Sequence, residues 1–184
     1  LMGSVVAGAG VNPAEWFNNC TNLRIVYAEN CSLVGAIPRF EGNGGKLLRV
    51  KLQNNLLTTY KTGTLANITN KNNTPKRPEL IEFNLSFNPL DINSVRRIIK
   101  EAHEIATHFG SNIRPEKLTI NLRSTKADLS SGTLTNYTED ELFNAGVPGD
   151  PNAEPPIPEI PDPLRIQFNQ LGQGDLSRVK VLIN

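Results

Sequence analysis

Apolar positions recur along this chain in a fixed frame. From Leu23 they fall at Leu23, Val26, Ala28 and Leu33; from Leu47 at Leu47, Val50, Leu52 and Leu57; from Leu80 at Leu80, Phe83, Leu85 and Leu90. Each copy fits L-x-x-L-x-L-x-x-N-x-L, with Cys31, Asn55 and Asn88 in the Asn slot. The central apolar pair of each copy alternates with polar neighbours, the period of a short strand with one buried face. An amide in the Asn slot both donates and accepts, so it can satisfy backbone groups in adjacent turns. Cys is a small, weakly donating substitute there. One such unit cannot bury its own apolar face, so the copies are expected to stack with their strands in parallel.

The first copy continues as Leu33-Val34-Gly35-Ala36-Ile37-Pro38, and 24 residues separate Leu23 from Leu47. Leu47 and Leu80 are 33 apart, and the nine extra residues are assigned to residues 62–78, read as a polar loop on the outer face. Residues 1–6 share the outline of Leu33 to Pro38, which fits either an earlier copy or a Gly-rich start. Trp16, Phe17 and Cys20 precede the first strand and are expected to cap the core. After the third copy, Asp91 or Asn93 can cap a helix ending near Phe109, with Gly110 as its stop. Val95, Ile98, Ile99, Ala102, Ile105, Ala106 and Phe109 make one apolar stripe on it. His103 and His108 lie off the stripe and read as solvated. Leu118 to Leu122 alternates as a strand, and Ile120, Leu122, Thr125 and Ala127 form a degenerate fourth frame. Residues 138–143 can form a helical turn or two.

Residues 147–163 hold seven Pro and read as an extended, semi-rigid arm. Beyond them Leu164, Ile166 and Phe168 alternate, and so do Val179, Val181 and Ile183, with a turn over 170–175. They are expected to form a C-terminal β-hairpin, or two strands that pair elsewhere. A lone hairpin is marginal in water, so it needs a surface on this chain or on a neighbour. The length of the arm favours a neighbour, and these six residues are the assembly-arm candidates. The organisation expected is a repeat domain over 1–146, a linker over 147–163 and an arm over 164–184.

Composition narrows the function. Lys and Arg number 19 and Asp and Glu 18, so the formal charge of +1 indicates neither a nucleic-acid coat nor an acidic tail. No apolar run approaches the roughly 18 residues of a membrane helix, and the Gly-rich start lacks the basic flank of a signal peptide. Two Cys are too few for a disulfide scaffold or a zinc ribbon. Cys20 and Cys31 are expected to be reduced thiols, because Cys31 fills a buried slot. No catalytic motif is present: no GxSxG, HExxH, Walker loop or GxGxxG. Gly42 to Gly45 reads as a loop, and Glu139, Asp140 and Glu141 suit a helix start. Lys71, Lys76 and Arg77, and Arg96, Arg97 and Lys100, lack interleaved aromatics and read as solvated. Asn is abundant, at 22 residues, so six Asn-x-Ser/Thr triplets carry no inference of glycosylation. No catalytic, metal or cofactor residue is assigned. The strand faces instead offer a surface, with Arg24, Tyr27, Arg49, Lys51, Glu82 and Asn84 as concave-face candidates, flanked by Ile25, Glu29, Gln53 and Ser86.

The three frames are the leucine-rich-repeat pattern. Together with the segment NPLDINSVRRIIKEAHEIATHFG and the Leu118 to Leu122 strand, they resemble the leucine-rich-repeat proteins of tailed marine bacteriophages, such as the large myoviruses of cyanobacteria. The resemblance covers about Trp16 to Gly132. It implies an α/β repeat fold: a short solenoid of three to four parallel strands capped by an amphipathic helix, here followed by the Pro-rich arm and C-terminal β-hairpin. It also implies a non-enzymatic virion protein of tail or fibre, without cofactor, whose partners are other virion subunits in an oligomeric assembly. No nucleic acid and no membrane span are expected. The alternative is a host- or ligand-binding module, a phage adhesin or a secreted or cell-surface protein, that meets a host receptor through its concave face.

Overall fold

The structure, a computed structural model, describes residues 14–42, 45–69, 79–109, 117–128, 130–143, 162–171, 173–176 and 178–184. Five short strands form one parallel sheet: β1 (Ile25–Tyr27), β3 (Arg49–Lys51), β5 (Glu82–Asn84), β6 (Leu118–Asn121) and β9 (Val179–Leu182). They lie side by side in chain order. Val26, Val50, Phe83, Ile120 and Val181 share one register line on the inner face. Downstream of β1 and β3, β2 (Val34–Ala36) and β4 (Leu56–Thr59) pair in parallel as a second, two-stranded sheet. A hairpin of β7 (Lys126–Asp128) and β8 (Thr133–Thr135) follows β6. Among the described residues four α-helices complete this mixed α/β fold: α1 (Thr64–Thr69), α2 (Ile92–Phe109), α3 (Glu139–Leu142) and α4 (Pro163–Gln170).

The strands end at a recurring turn. The residue before each expected ladder slot is left-handed: Asn30 (φ 57°), Asn54 (55°), Phe87 (56°) and Ser124 (53°). Asn tolerates this conformation because its short side chain bonds locally, whereas Phe87 is strained there by about 1–3 kcal/mol. The slot residues then fasten the turns together. Asn55 Oδ1 accepts from the Cys31 and Leu33 amides at 2.9 and 3.0 Å, and its Nδ2 donates to Ala28 O at 2.7 Å and Leu52 O at 2.9 Å. One frame on, Asn88 Oδ1 accepts from Leu57 N at 3.1 Å, and Nδ2 donates to Leu52 O and Leu85 O at 2.9 and 3.0 Å. Thr125 holds the slot in the fourth frame, its buried hydroxyl donating to Leu122 O at 2.7 Å. Thr125 thus closes its own turn, whereas each Asn also reaches back to the preceding one. Cys31, half-buried against the core, donates its thiol to Glu29 O at 3.3 Å. Cys20 and Cys31 are not joined by a disulfide, in line with the expected reduced thiols.

The helical side follows the sequence closely at α2. Asp91 caps it by accepting from Ser94 N at 2.6 Å, and every residue of the expected stripe is buried. His103 touches Gln170 Oε1 at 2.8 Å, and His108 is exposed beside Phe109. Residues 138–143 form α3 with a capping box between Thr138 and Glu141. Phe17 stacks on Phe40 at 5.3 Å and closes the start of the core, with the half-exposed Trp16 edge-on against it. Residues 1–6 lie outside the described residues.

Two expectations are corrected. The stretch 62–78 is not simply a polar outer loop, because its first part is α1, with Leu65 and Ile68 buried against α2; residues 70–78 lie outside the described residues. A buried carboxylate holds α1 in place. Glu101 of α2 accepts from Tyr60 Oη at 2.5 Å, Leu65 N at 3.2 Å and Gly63 N. The second correction concerns the C-terminus: no hairpin joins the two terminal apolar runs. Leu164, Ile166 and Phe168 lie on α4, capped by Asp162, whose Oδ1 accepts from Leu164 N at 2.7 Å, with Pro163 in the first turn. Leu164 and Phe168, one helical turn apart, face α2 and Phe143, while Ile166 is 45% exposed. Val179–Leu182 pairs in parallel with β6 as the fifth strand of the chain's own sheet, with Val179 and Ile183 buried in the shared core. The segment therefore docks on its own chain, against the expected preference for a neighbour. Most of the Pro-rich stretch lies outside the described residues.

Two stability predictions follow from the buried polar groups. Asn88→Ala strands at least two buried backbone groups and is expected to cost about 3 kcal/mol in urea unfolding; a loss under about 1 kcal/mol would mean that the amide does not hold the turns together. Burial, and then the Glu101 carboxylate, push the Tyr60 phenol well above its ordinary value. The folded state therefore keeps a proton that the unfolded chain releases near pH 10, so this contribution is intact below about pH 10 and is lost as pH rises further. Tyr60→Phe is expected to flatten the alkaline decline of stability by up to about 1.4 kcal/mol per pH unit, and an unchanged slope would contradict the buried phenol.

Candidate functional site

The inner face of the five-stranded sheet is filled by the core, and its other face is open. Register places the outward residues in lines across the strands. One line is Ile25, Arg49, Glu82, Thr119 and Lys180. The next is Tyr27, Lys51, Asn84, Asn121 and Leu182. The backbone ladder continues two residues further, with Asn54 N donating to Ser86 O and Phe87 N to Arg123 O, so Glu29, Gln53, Ser86 and Arg123 extend the face.

Of the concave-face candidates, Tyr27, Lys51 and Asn84 share one line and Arg49 and Glu82 the other. Arg24 stands apart, paired with Glu79 at 2.5 Å. Glu82 lies 3.8 Å from Arg49 and 3.7 Å from Lys51, so one carboxylate serves two cations. Lys51 also sits 5.2 Å from the centroid of the exposed Tyr27 ring, a weak cation–π contact at such a site. Gln53 Nε2 donates to Glu29 at 3.0 Å. Asn84 Oδ1 accepts from both the amide and the hydroxyl of Ser86, and Asn121 Oδ1 accepts from both the amide and Nε of Arg123.

Thr119, Asn121, Arg123 and Lys180 belong to this face and were missed as site residues. The strand around Ile120 was legible, so its outward positions were available in the sequence. Lys180 was hidden because nothing in the spacing placed residues 179–182 beside β6. The six assembly-arm candidates are mostly consumed by the fold. Leu164, Val179 and Ile183 are core, Phe168 packs on Phe143 at 5.3 Å, Val181 is half-buried and Ile166 alone is exposed.

Other polar groups cluster on the helical side. A cleft of about 410 Å³ lies between α2 and α4, lined by Arg96, Arg97, Lys100 and Asp162 among others. Arg96 there pairs with the buried Asp162 at 3.3 Å. Hydrogen bonds from Ser130 and Ser131 hold the exposed Asp128 carboxyl well below the usual carboxylate range, as expected in a tight turn. Lys126 and the capping box lower Glu141. Neither group lies on the open face. Among the described residues, no cluster of three or more His, Cys, Asp or Glu is placed to hold a metal ion, and no helix is long and apolar enough to cross a membrane. No protein-family model, curated protein or solved structure matches the chain.

Proposed function

We propose that this chain is a short leucine-rich-repeat solenoid acting as a non-enzymatic protein-binding module, in keeping with its resemblance to virion proteins of tailed phages, and that the open sheet face is its docking surface. The observation that carries this reading is the face itself. Side chains from all five strands stand in register on it, no element of the described chain covers it, and Ile25 and Tyr27 remain 44% and 56% exposed. Aromatic and apolar groups beside fixed polar ones are the usual make-up of a protein contact. The repeat assignment is supported by the Asn ladder and by the left-handed residue that precedes each slot.

A second reading, a virion subunit that assembles through its C-terminal segment, keeps one observation in its favour. Among the described strands β9 has β6 as its only neighbour, so its outer edge still offers backbone groups to another chain. The packing of α4 and β9 into the chain's own core weighs toward the face.

A photo-crosslinker placed at Tyr27 is expected to give partner adducts in assembled particles or on host surfaces, while one at Ile166 gives none. The pair Arg49→Glu and Lys51→Glu should lower adduct yield by about tenfold. Adducts at Ile166 alone would move the function to the α4 side. For the assembly reading the discriminating quantity is native mass: a concentration-independent monomer would count against it.

A further inference from the structure

The face carries an imbalance between donors and acceptors at its centre. Asn84 and Asn121 are register partners on β5 and β6. Each spends its amide oxygen on two donors two residues ahead in its own chain: Ser86 N at 3.1 Å and Oγ at 2.8 Å for Asn84, Arg123 N at 3.2 Å and Nε at 3.1 Å for Asn121. These bonds fix which end of each amide is which. Neither Nδ2 group has a partner among the described residues. The centre of the sheet therefore presents two adjacent amide groups that can only donate.

The charges around them have the same sense. The three lines of the face carry Arg49, Lys51, Arg123 and Lys180 against Glu29 and Glu82. Glu82 is divided between two cations at long range, and Glu29 is engaged by Gln53. Arg123 and Lys180 flank the Asn pair without a carboxylate partner among the described residues. Four cations against two carboxylates give these lines a net charge of +2, in a chain whose total is +1.

We infer that the centre of the open face docks an acidic segment of a protein partner, whose carboxylates and backbone carbonyls accept from Asn84, Asn121, Lys51, Arg123 and Lys180. The inference rests on the docking reading proposed above and adds the chemistry of the partner. A protein fits better than a nucleic acid, because Tyr27 is the only aromatic residue on these lines and single-stranded nucleic acid needs several for stacking. An amide that donates also discriminates: it rewards an acceptor and gives nothing to a cation.

The test uses the full chain, labelled with 15N, and a capped hexaglutamate peptide as probe. Hexaglutamate is expected to shift the side-chain amide signals of Asn84 and Asn121, whereas hexalysine leaves them in place. Affinity should fall several-fold between low salt and about 0.3 M salt, as for any exposed charge contact. Asn84→Asp and Asn121→Asp retain the oxygen that holds Ser86 or Arg123 and replace the donor by a carboxylate. Each should weaken hexaglutamate by about tenfold with little change in Tm. The inference is overturned if hexaglutamate leaves both amides unshifted, if hexalysine binds equally, or if the Asp variants bind unchanged. Equal shifts with inorganic phosphate alone would overturn a protein as occupant in favour of a small-anion site. Adducts at Tyr27 that survive both Asp variants would sink this inference alone, and absence of adducts at Tyr27 would sink the docking reading beneath it.

Discussion

Two buried carboxamides set the geometry on which the rest of this molecule depends. Asn55 and Asn88 each bond backbone groups of their own turn and of the turn before. A buried backbone group without a partner costs about 1–3 kcal/mol, so these bonds fix where each strand must end relative to its neighbour. That fixes the register of β1, β3 and β5, which aligns Val26, Val50 and Phe83 on one side and leaves the polar alternates on the other. The open face is thus a consequence of the ladder. Across β1, β3 and β5 its side chains stand in lines because the amides below them tie successive turns together.

The helical side supplies the second constraint. α2 buries its whole stripe, and Glu101 reaches from that helix to Tyr60 and to the start of α1. A carboxylate taken out of water is tolerable only when its oxygens are fully engaged, and here three donors surround it. Such a site ties α1, the end of β4 and α2 into one block. Together with the Arg96–Asp162 pair under α4, it places the buried charges on the helical side, where they serve structure. The sheet face keeps charges that are exposed and weakly paired, which is the condition in which a charge remains available to a partner.

Much of this was legible in the sequence, and the failures have physical causes. The three frames, α2 with its stripe and the β6 strand were readable because apolar spacing decides them over many residues. α1 was hidden because Leu65, Ala66 and Ile68 are the only apolar residues in a polar stretch, and Glu101, which anchors the helix, lies 36 positions away from Leu65. α4 was read as a strand because Leu164, Ile166 and Phe168 fit a period of two, while the pair that is buried, Leu164 with Phe168, fits a helix equally. The caps Asp162 and Pro163 were the overlooked signal. Half of the face was legible from Arg49, Lys51, Glu82 and Asn84. The donor character of the Asn pair was not, since it depends on which atom of each amide is already spent.

The placement of β9 bears on how the whole chain works. Without residues 179–182, β6 would be the edge strand of the sheet, with its outer backbone groups unpaired. Instead residues 179–182 pair with it, so the segment read as an arm for a neighbour serves as the last strand of its own sheet. This shifts the open edge outward by one strand and lengthens two of the three lines of the face, adding Lys180 and Leu182 to them. The C-terminal segment therefore extends the open face in two ways: it covers the edge beside Asn121, and it contributes a cation one register line away from that amide. With Val179 and Ile183 buried in the shared core, the open face spans five strands where the three frames alone supply three.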